Sequence, residues 1–143
     1  MNERRCLQVT VALASLVPIS AGFAGAVLGI SFTNWLDDTA SSGAALDSHV
    51  RYLSGLLLGI GLAFLTAVPD IEKHFRRFTL LTLIVLVGGL ARLGAVIMSG
   101  PAHRGMLFTL VMELVVTPLL CAWQWRVSRR GEQLGIDVRK GAA

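Results

Sequence analysis

Four long apolar runs, separated by short polar breaks, organise this chain. The first extends from about Leu7 to Ile30 and the second from about Val50 to Val68, where Pro69 stops it. The third extends from about Phe78 to Met98, ahead of Gly100-Pro101, and the fourth from about Met106 to Trp125. Each is near the ~20 residues that a helix needs to cross ~30 Å of hydrocarbon. The pattern predicts an all-α, integral membrane four-helix bundle: one domain over residues 1–130, followed by a polar tail over 131–143 that is expected to be disordered at its end. Asn2 to Arg5 and Ala24-Gly25-Ala26 have the look of a signal peptide. The apolar stretch between them is longer than the ~7–15 residues of such a segment, so an uncleaved helix is expected.

Composition agrees with membrane spans. Of 143 residues, 54% are hydrophobic and 15% charged, with a mean hydropathy of +0.66. A soluble domain of this size could not bury that much apolar surface in one core. The net charge of +4 does not point to nucleic acid, because the basic residues cluster at span ends. Arg4, Arg5, Lys73, Arg76, Arg77, Arg126, Arg129, Arg130, Arg139 and Lys140 fall on one side, Arg51 and Arg104 on the other, and Arg92 within a span. Both termini are therefore expected to be cytoplasmic. Trp123 and Trp125 suit an aromatic belt at the inner interface. Cys6 and Cys121 read as small packing residues in a reducing compartment.

The longest connection, about Ser31 to Ser48, carries Asp37, Asp38 and Asp47 and no Lys or Arg. Phe32, Trp35 and Leu36 are placed to dip into the outer interface, and the segment Thr39 to Ala45 reads as a flexible loop. It is either a cap over the outer mouth of the bundle or an ordinary interfacial loop. Small residues mark helix contacts in lipid. Gly55, Gly59 and Ala63, continuing back to Arg51, share one face of the second span. Ala21, Gly25 and Gly29 do so in the first, and Gly88 lies one turn before Arg92 in the third, beside Gly89. These stripes are expected to turn Arg51 and Arg92 toward neighbouring helices. Pro118 removes a backbone donor from the fourth span and predicts a kink, with Thr117 near enough to bond Glu113 or freed backbone.

Two opposite charges inside adjacent spans are the candidate chemistry. Arg92 lies roughly 9 Å from the outer end of the third span and Glu113 roughly 10 Å from that of the fourth, at 1.5 Å per residue. The short Ser99–Gly105 turn makes the two helices antiparallel neighbours. A lone charge at such a depth costs ~2.5–3.5 kcal/mol on insertion scales, so the two are expected to pair or to line a functional cavity. Arg51 enters from the same side, with Tyr52, Ser54, His49 and Asp47 near it in sequence. Two arginines against one glutamate leave a positive charge to be balanced, either by Asp47 or by an anionic group that the guanidinium fork would bind. The candidate ligand-binding residues are accordingly Arg51, Arg92, Glu113, Tyr52 and His49. A structural ion pair with Arg51 snorkelling to the interface is the alternative. No spacing makes His49, His103 and Glu113 converge as a metal site, His74 belongs to the inner loop, and no cofactor is implied.

At these residues the chain resembles a family of small bacterial integral membrane proteins known only as a domain of unknown function. The likeness rests on His49-Val50-Arg51-Tyr52, on Gly55 and Gly59-Ile60-Gly61, on Gly88-Gly89-Leu90-Ala91-Arg92, and on Glu113-Leu114. Other members often place tyrosine just before a Gly-Gly in the second span. Here Tyr52 follows Arg51 directly and Ser54-Gly55 takes that place. The resemblance implies four helices, an Arg/Arg/Glu cluster and a multi-pass protein of the bacterial inner membrane, but no reaction. The first expectation is thus a non-enzymatic bundle that binds a membrane lipid or small anionic amphiphile. The second is an accessory protein whose ion pair is structural and whose partner is a second copy or another membrane protein. The third is a membrane enzyme such as an isomerase, for which an arginine-paired glutamate without a second carboxylate in its span is poorly tuned.

Overall fold

The computed structural model describes residues 3–34, 43–100 and 104–141, with side chains described for 3–32, 43–98, 100 and 105–129. The chain forms α1 (Glu3–Leu28), a short α2 (Ile30–Asn34), α3 (Ala44–Leu65), α4 (Phe75–Ser99), α5 (Arg104–Val111), a π-helical turn (Met112–Val116) and α6 (Thr117–Gly141). Four stretches, Glu3–Leu28, Ala44–Leu65, Phe75–Met98 and Gly105–Arg129, are long and apolar enough to cross a membrane. No strand occurs among the described residues. Trp35, Leu36, Asp37, Asp38 and His103 lie outside the described residues, as do the rest of residues 35–42 of the expected outer loop and the side chains of the tail. The backbone of residues 131–141 continues α6 where a disordered end was expected. No proline follows Pro118 to interrupt the helix, and Gly131 and Gly135 cost only ~1 kcal/mol each.

The helices pair as two hairpins. In the first, α1 lies against α3 at backbone distance. A Cβ on Gly22 would meet the Leu58 amide nitrogen at 2.5 Å and the Ser54 carbonyl at 2.8 Å, and one on Gly61 would meet Ile19 at 2.8 Å. Gly25 sits directly against the Ser54 hydroxyl. The packing face of α3 is therefore Arg51, Ser54, Leu58 and Gly61. The expected stripe is displaced: Gly55 and Gly59 have no atom within 4 Å of a built Cβ and face outward. The two sets are offset by one residue, or about 100° of helix rotation. α1 carries Pro18 inside it without ending. In the second hairpin, Gly89 of α4 admits the turn around Glu113 and Leu114, whose side chains lie 2.9 and 2.8 Å from a built Cβ.

The hairpins join at one end, here called basal, which holds the start of α1, the 66–74 connection and Trp123. The buried core is concentrated there: Leu7, Val11, Phe64, Ile71, Phe78, Leu81, Leu120 and Val127, with Phe64 and Phe78 edge-to-face at 4.9 Å. Because lipid supplies no hydrophobic drive between helices, polar fastening matters. The 66–74 connection offers its carbonyls as the fastening point. Gln8 of α1 donates to the carbonyls of Val68 (2.9 Å) and Pro69 (3.0 Å). Gln124 of α6, fully buried, donates to Ile71 at 2.6 Å, and Ser128 donates to Glu72 at 2.8 Å. Arg4 adds a 3.5 Å ion pair with Glu72. A cavity between the two hairpins runs from Val11, Phe64, Phe78 and Leu120 of this core toward the other, distal end.

Candidate functional site

At the distal end, the polar groups sort into two separate clusters. Arg92 of α4 and Glu113 of the π turn form a two-pronged pair, Nε to Oε2 at 3.1 Å and Nη2 to Oε1 at 3.2 Å. The Glu113 side chain is 18% exposed and that of Arg92 40%. Three local features build this pair. Gly89, one turn before Arg92 on α4, lets the facing helix approach. Pro118 has no N–H to continue an α-helix and would press its ring on the Leu114 carbonyl, and the widened Met112–Val116 turn relieves that conflict. Thr117 sends its hydroxyl to the Met112 carbonyl at 2.8 Å and its N–H to the same oxygen, so the carbonyl that opens the π turn accepts twice. The expected kink at Pro118 thus takes the form of a π turn carrying Glu113, a device found frequently at functional positions.

Arg51 does not join this pair. Its Nε donates to Asp47 at 2.8 Å, and its Nη1 donates to the carbonyls of Ala26 (3.1 Å) and Val27 (2.6 Å). Those carbonyls belong to the last turn of α1, where helix oxygens lack partners. The chain then turns through Gly29 at φ +59°, a conformation that favours glycine, and the Ile30 amide donates to Asp47 at 2.8 Å. A Cβ at Gly29 would collide with Asp47 and Arg51. Asp47 and Arg51 therefore finish α1 and start α2, and Asp47 balances Arg51 internally. Tyr52 (63% exposed) and His49 point away from the bundle. Of the five candidate residues, the fold brings together Arg92 and Glu113 and leaves Arg51, Tyr52 and His49 apart from them.

The cavity between the two hairpins has a volume of about 650 Å³. All four spans contribute to its wall, including Ala21 of α1, Leu53 of α3, Ala91 of α4 and Met112 of the π turn, and Arg92 and Glu113 both line it. Arg51, Tyr52 and His49 do not line it. Four hydroxyl residues, Ser15, Ser54, Thr109 and Thr117, are the other polar lining groups. Among the described residues no three His, Cys, Asp or Glu side chains converge to hold a metal ion.

A family model described as Domain of unknown function (DUF4345) matches residues 6–124, which takes in both hairpins, the ion pair and the cavity. The chain belongs to the DUF4345 family. No curated protein and no solved structure matches it. In this DUF4345 protein the Arg92–Glu113 pair was legible from span depth alone. The Gln8, Gln124 and Ser128 fastenings were not anticipated. Their signal was present, since Gln8 and Gln124 are uncharged polar residues at the edges of apolar runs, where a polar side chain needs a partner.

Proposed function

We propose that this protein is a multi-pass receptacle in the bacterial inner membrane for a lipid or similar amphiphile. The molecule's apolar chain lies between the two hairpins and its polar head meets the Arg92–Glu113 pair. The observation that carries this reading is the cavity: about 650 Å³, within the ~300–1,000 Å³ typical of ligand pockets, largely apolar, and furnished with one charge pair. The bias of Lys and Arg toward the basal side supports a cytoplasmic position for that end and both termini, which puts the Arg92–Glu113 pair in the outer half of the membrane. Gly55 and Gly59, open to the outside of α3, leave a smooth face for lipid or for a second copy.

Gly88 supplies the test. It lines the cavity, and a Cβ there meets nothing within 4 Å, so Gly88→Phe fills the space without a backbone clash. Native mass spectrometry from a mild detergent should show a bound adduct on the wild type, absent from Gly88→Phe and retained by Arg51→Ala. A bare wild-type protein, or an adduct unchanged in Gly88→Phe, overturns the proposal. A purely structural role for the ion pair is the second reading, favoured by its two-pronged closure across α4 and the π turn. An isomerase-like role for Glu113 has weaker support, because Arg92 occupies both carboxylate oxygens.

A further inference from the structure

Two sequence-based considerations, an extra arginine and an apolar chain, point to an anionic amphiphile; the charge distribution in the fold points elsewhere. Among the described side chains of the distal half, Asp47 pairs with Arg51 and Arg92 with Glu113, so the formal charge sums to zero. An anion added beside a closed pair in a low-dielectric site would be an uncompensated charge, which is strongly disfavoured. A cation is disfavoured for the same reason.

The hydrogen-bonding inventory narrows the class further. A guanidinium has five N–H donors, and Glu113 takes one from Nε and one from Nη2, leaving three on Arg92. Three of the four cavity hydroxyls, on Ser15, Thr109 and Thr117, already give their hydrogens to helix carbonyls, those of Val11 (2.7 Å), Met106 (2.9 Å) and Met112 (2.8 Å), and the fourth, on Ser54, is set against Gly25 of α1. Arg92 is therefore the principal donor facing the cavity. Taking the receptacle reading as given, we infer that the bound head group is uncharged and carries an acceptor oxygen, a carbonyl or hydroxyl, held by the remaining Arg92 N–H groups. The ligand class is a neutral lipid with a small oxygenated head. Glu113 acts as the residue that sets this selectivity, by cancelling the charge of Arg92 so that an acceptor is recognised without a counter-ion.

Three probes with a common sixteen-carbon chain bearing a diazirine would test this on the full chain in nanodiscs of zwitterionic lipid: hexadecanol, hexadecyl sulfate and hexadecyltrimethylammonium. Photolabelling is mapped by peptide mass spectrometry, with the lipid-facing residues Ile97 and Met98 as background. Hexadecanol is expected to label the Leu53, Gly88 and Ala91 peptides above background, exceeding either charged probe by roughly tenfold or more, the scale of an uncompensated charge. Glu113→Gln, which leaves Arg92 uncancelled, is expected to reverse the preference toward hexadecyl sulfate. The double variant Arg92→Gln/Glu113→Gln is expected to keep rejecting both charged probes. Cavity labelling by hexadecyl sulfate equal to or above hexadecanol in the wild type refutes the neutral head group and leaves the receptacle standing. Background labelling by all three refutes the receptacle itself. The wild-type comparison decides the matter even where a variant fails to fold.

Discussion

Adding one methyl group to α1, Gly22→Ala, tests how the first hairpin is held. The new Cβ would lie 2.5 Å from the Leu58 nitrogen, 2.8 Å from the Ser54 oxygen and 2.9 Å from the Leu58 Cα. Non-bonded heavy atoms settle near ~3.5–4.0 Å, so α1 and α3 must part by about 1 Å. All three obstructing atoms are backbone, and no rotamer change can move them aside. The separation is also felt at Gly25 and Gly61, which share the contact. Overpacking costs ~1–3 kcal/mol, occasionally more, and a backbone clash belongs at the upper end, about 3 kcal/mol. Alanine recovers up to ~1 kcal/mol through helix propensity, leaving a net loss of about 2 kcal/mol. Gly59→Ala is the matched control: no atom lies within 4 Å, so propensity alone acts and the variant should be neutral or up to ~1 kcal/mol more stable. Reversible SDS-driven unfolding in mixed micelles, followed by tryptophan fluorescence, should separate the two by about 3 kcal/mol. A Gly22→Ala protein as stable as Gly59→Ala would refute the close contact of α1 and α3.

Other expectations concern the polar fastenings. Arg92→Leu alone should destabilise by roughly 2–3 kcal/mol by stranding Glu113, and the Arg92→Leu/Glu113→Leu pair should recover part of that loss; additivity within ~0.5 kcal/mol would show the two side chains to be uncoupled. Gln124→Leu should cost about 1–2 kcal/mol, because the Ile71 carbonyl loses its donor, although the change also removes a buried Gln124 oxygen that has no partner. An unchanged unfolding midpoint would count against the basal clamp. Arg51→Ala should speed hydrogen exchange at the Ile30 amide, which relies on the Asp47 position that Arg51 holds, while leaving exchange around Gln124 unaffected. Equal acceleration at both places would mean that Arg51 stabilises the whole bundle rather than the end of α1.

The four spans and the Arg92–Glu113 meeting could be read from the chain because both depend on length and depth, and 1.5 Å per residue converts sequence into depth directly. Rotation about the helix axis was less legible. Gly55–Gly59 and Ser54–Leu58–Gly61 both have helical spacing, and their difference in phase carries no label saying which set meets α1. The α1 glycines decide it: Gly22 and Gly25 accept Ser54 and Leu58. Arg51 illustrates a second limit. A long side chain has many partners within reach of its depth, and the carbonyls of Ala26 and Val27 become available only where α1 ends at Gly29. Fastening by Gln8 and Gln124 depends on the path of the 66–74 connection, which periodicity does not describe.

The π turn divides the fourth span into two rulers cut from the same rod but read from different zero marks. One extra residue in a turn rotates everything beyond it by about 100° relative to a continuous α-helix, since each residue subtends that angle. At the slip itself the span addresses α4, holding Glu113 of the π turn opposite Arg92. Downstream, it addresses the 66–74 connection, placing Gln124 and Ser128 on the carbonyls of Ile71 and Glu72. Neither address constrains the other while the slip remains. Deleting a single residue such as Val115 would join the two scales into one, and the span could then satisfy the ion pair or the clamp but not both. Substitutions in this segment alter how strongly each partner is held; a change of length alters which partners the span can hold together.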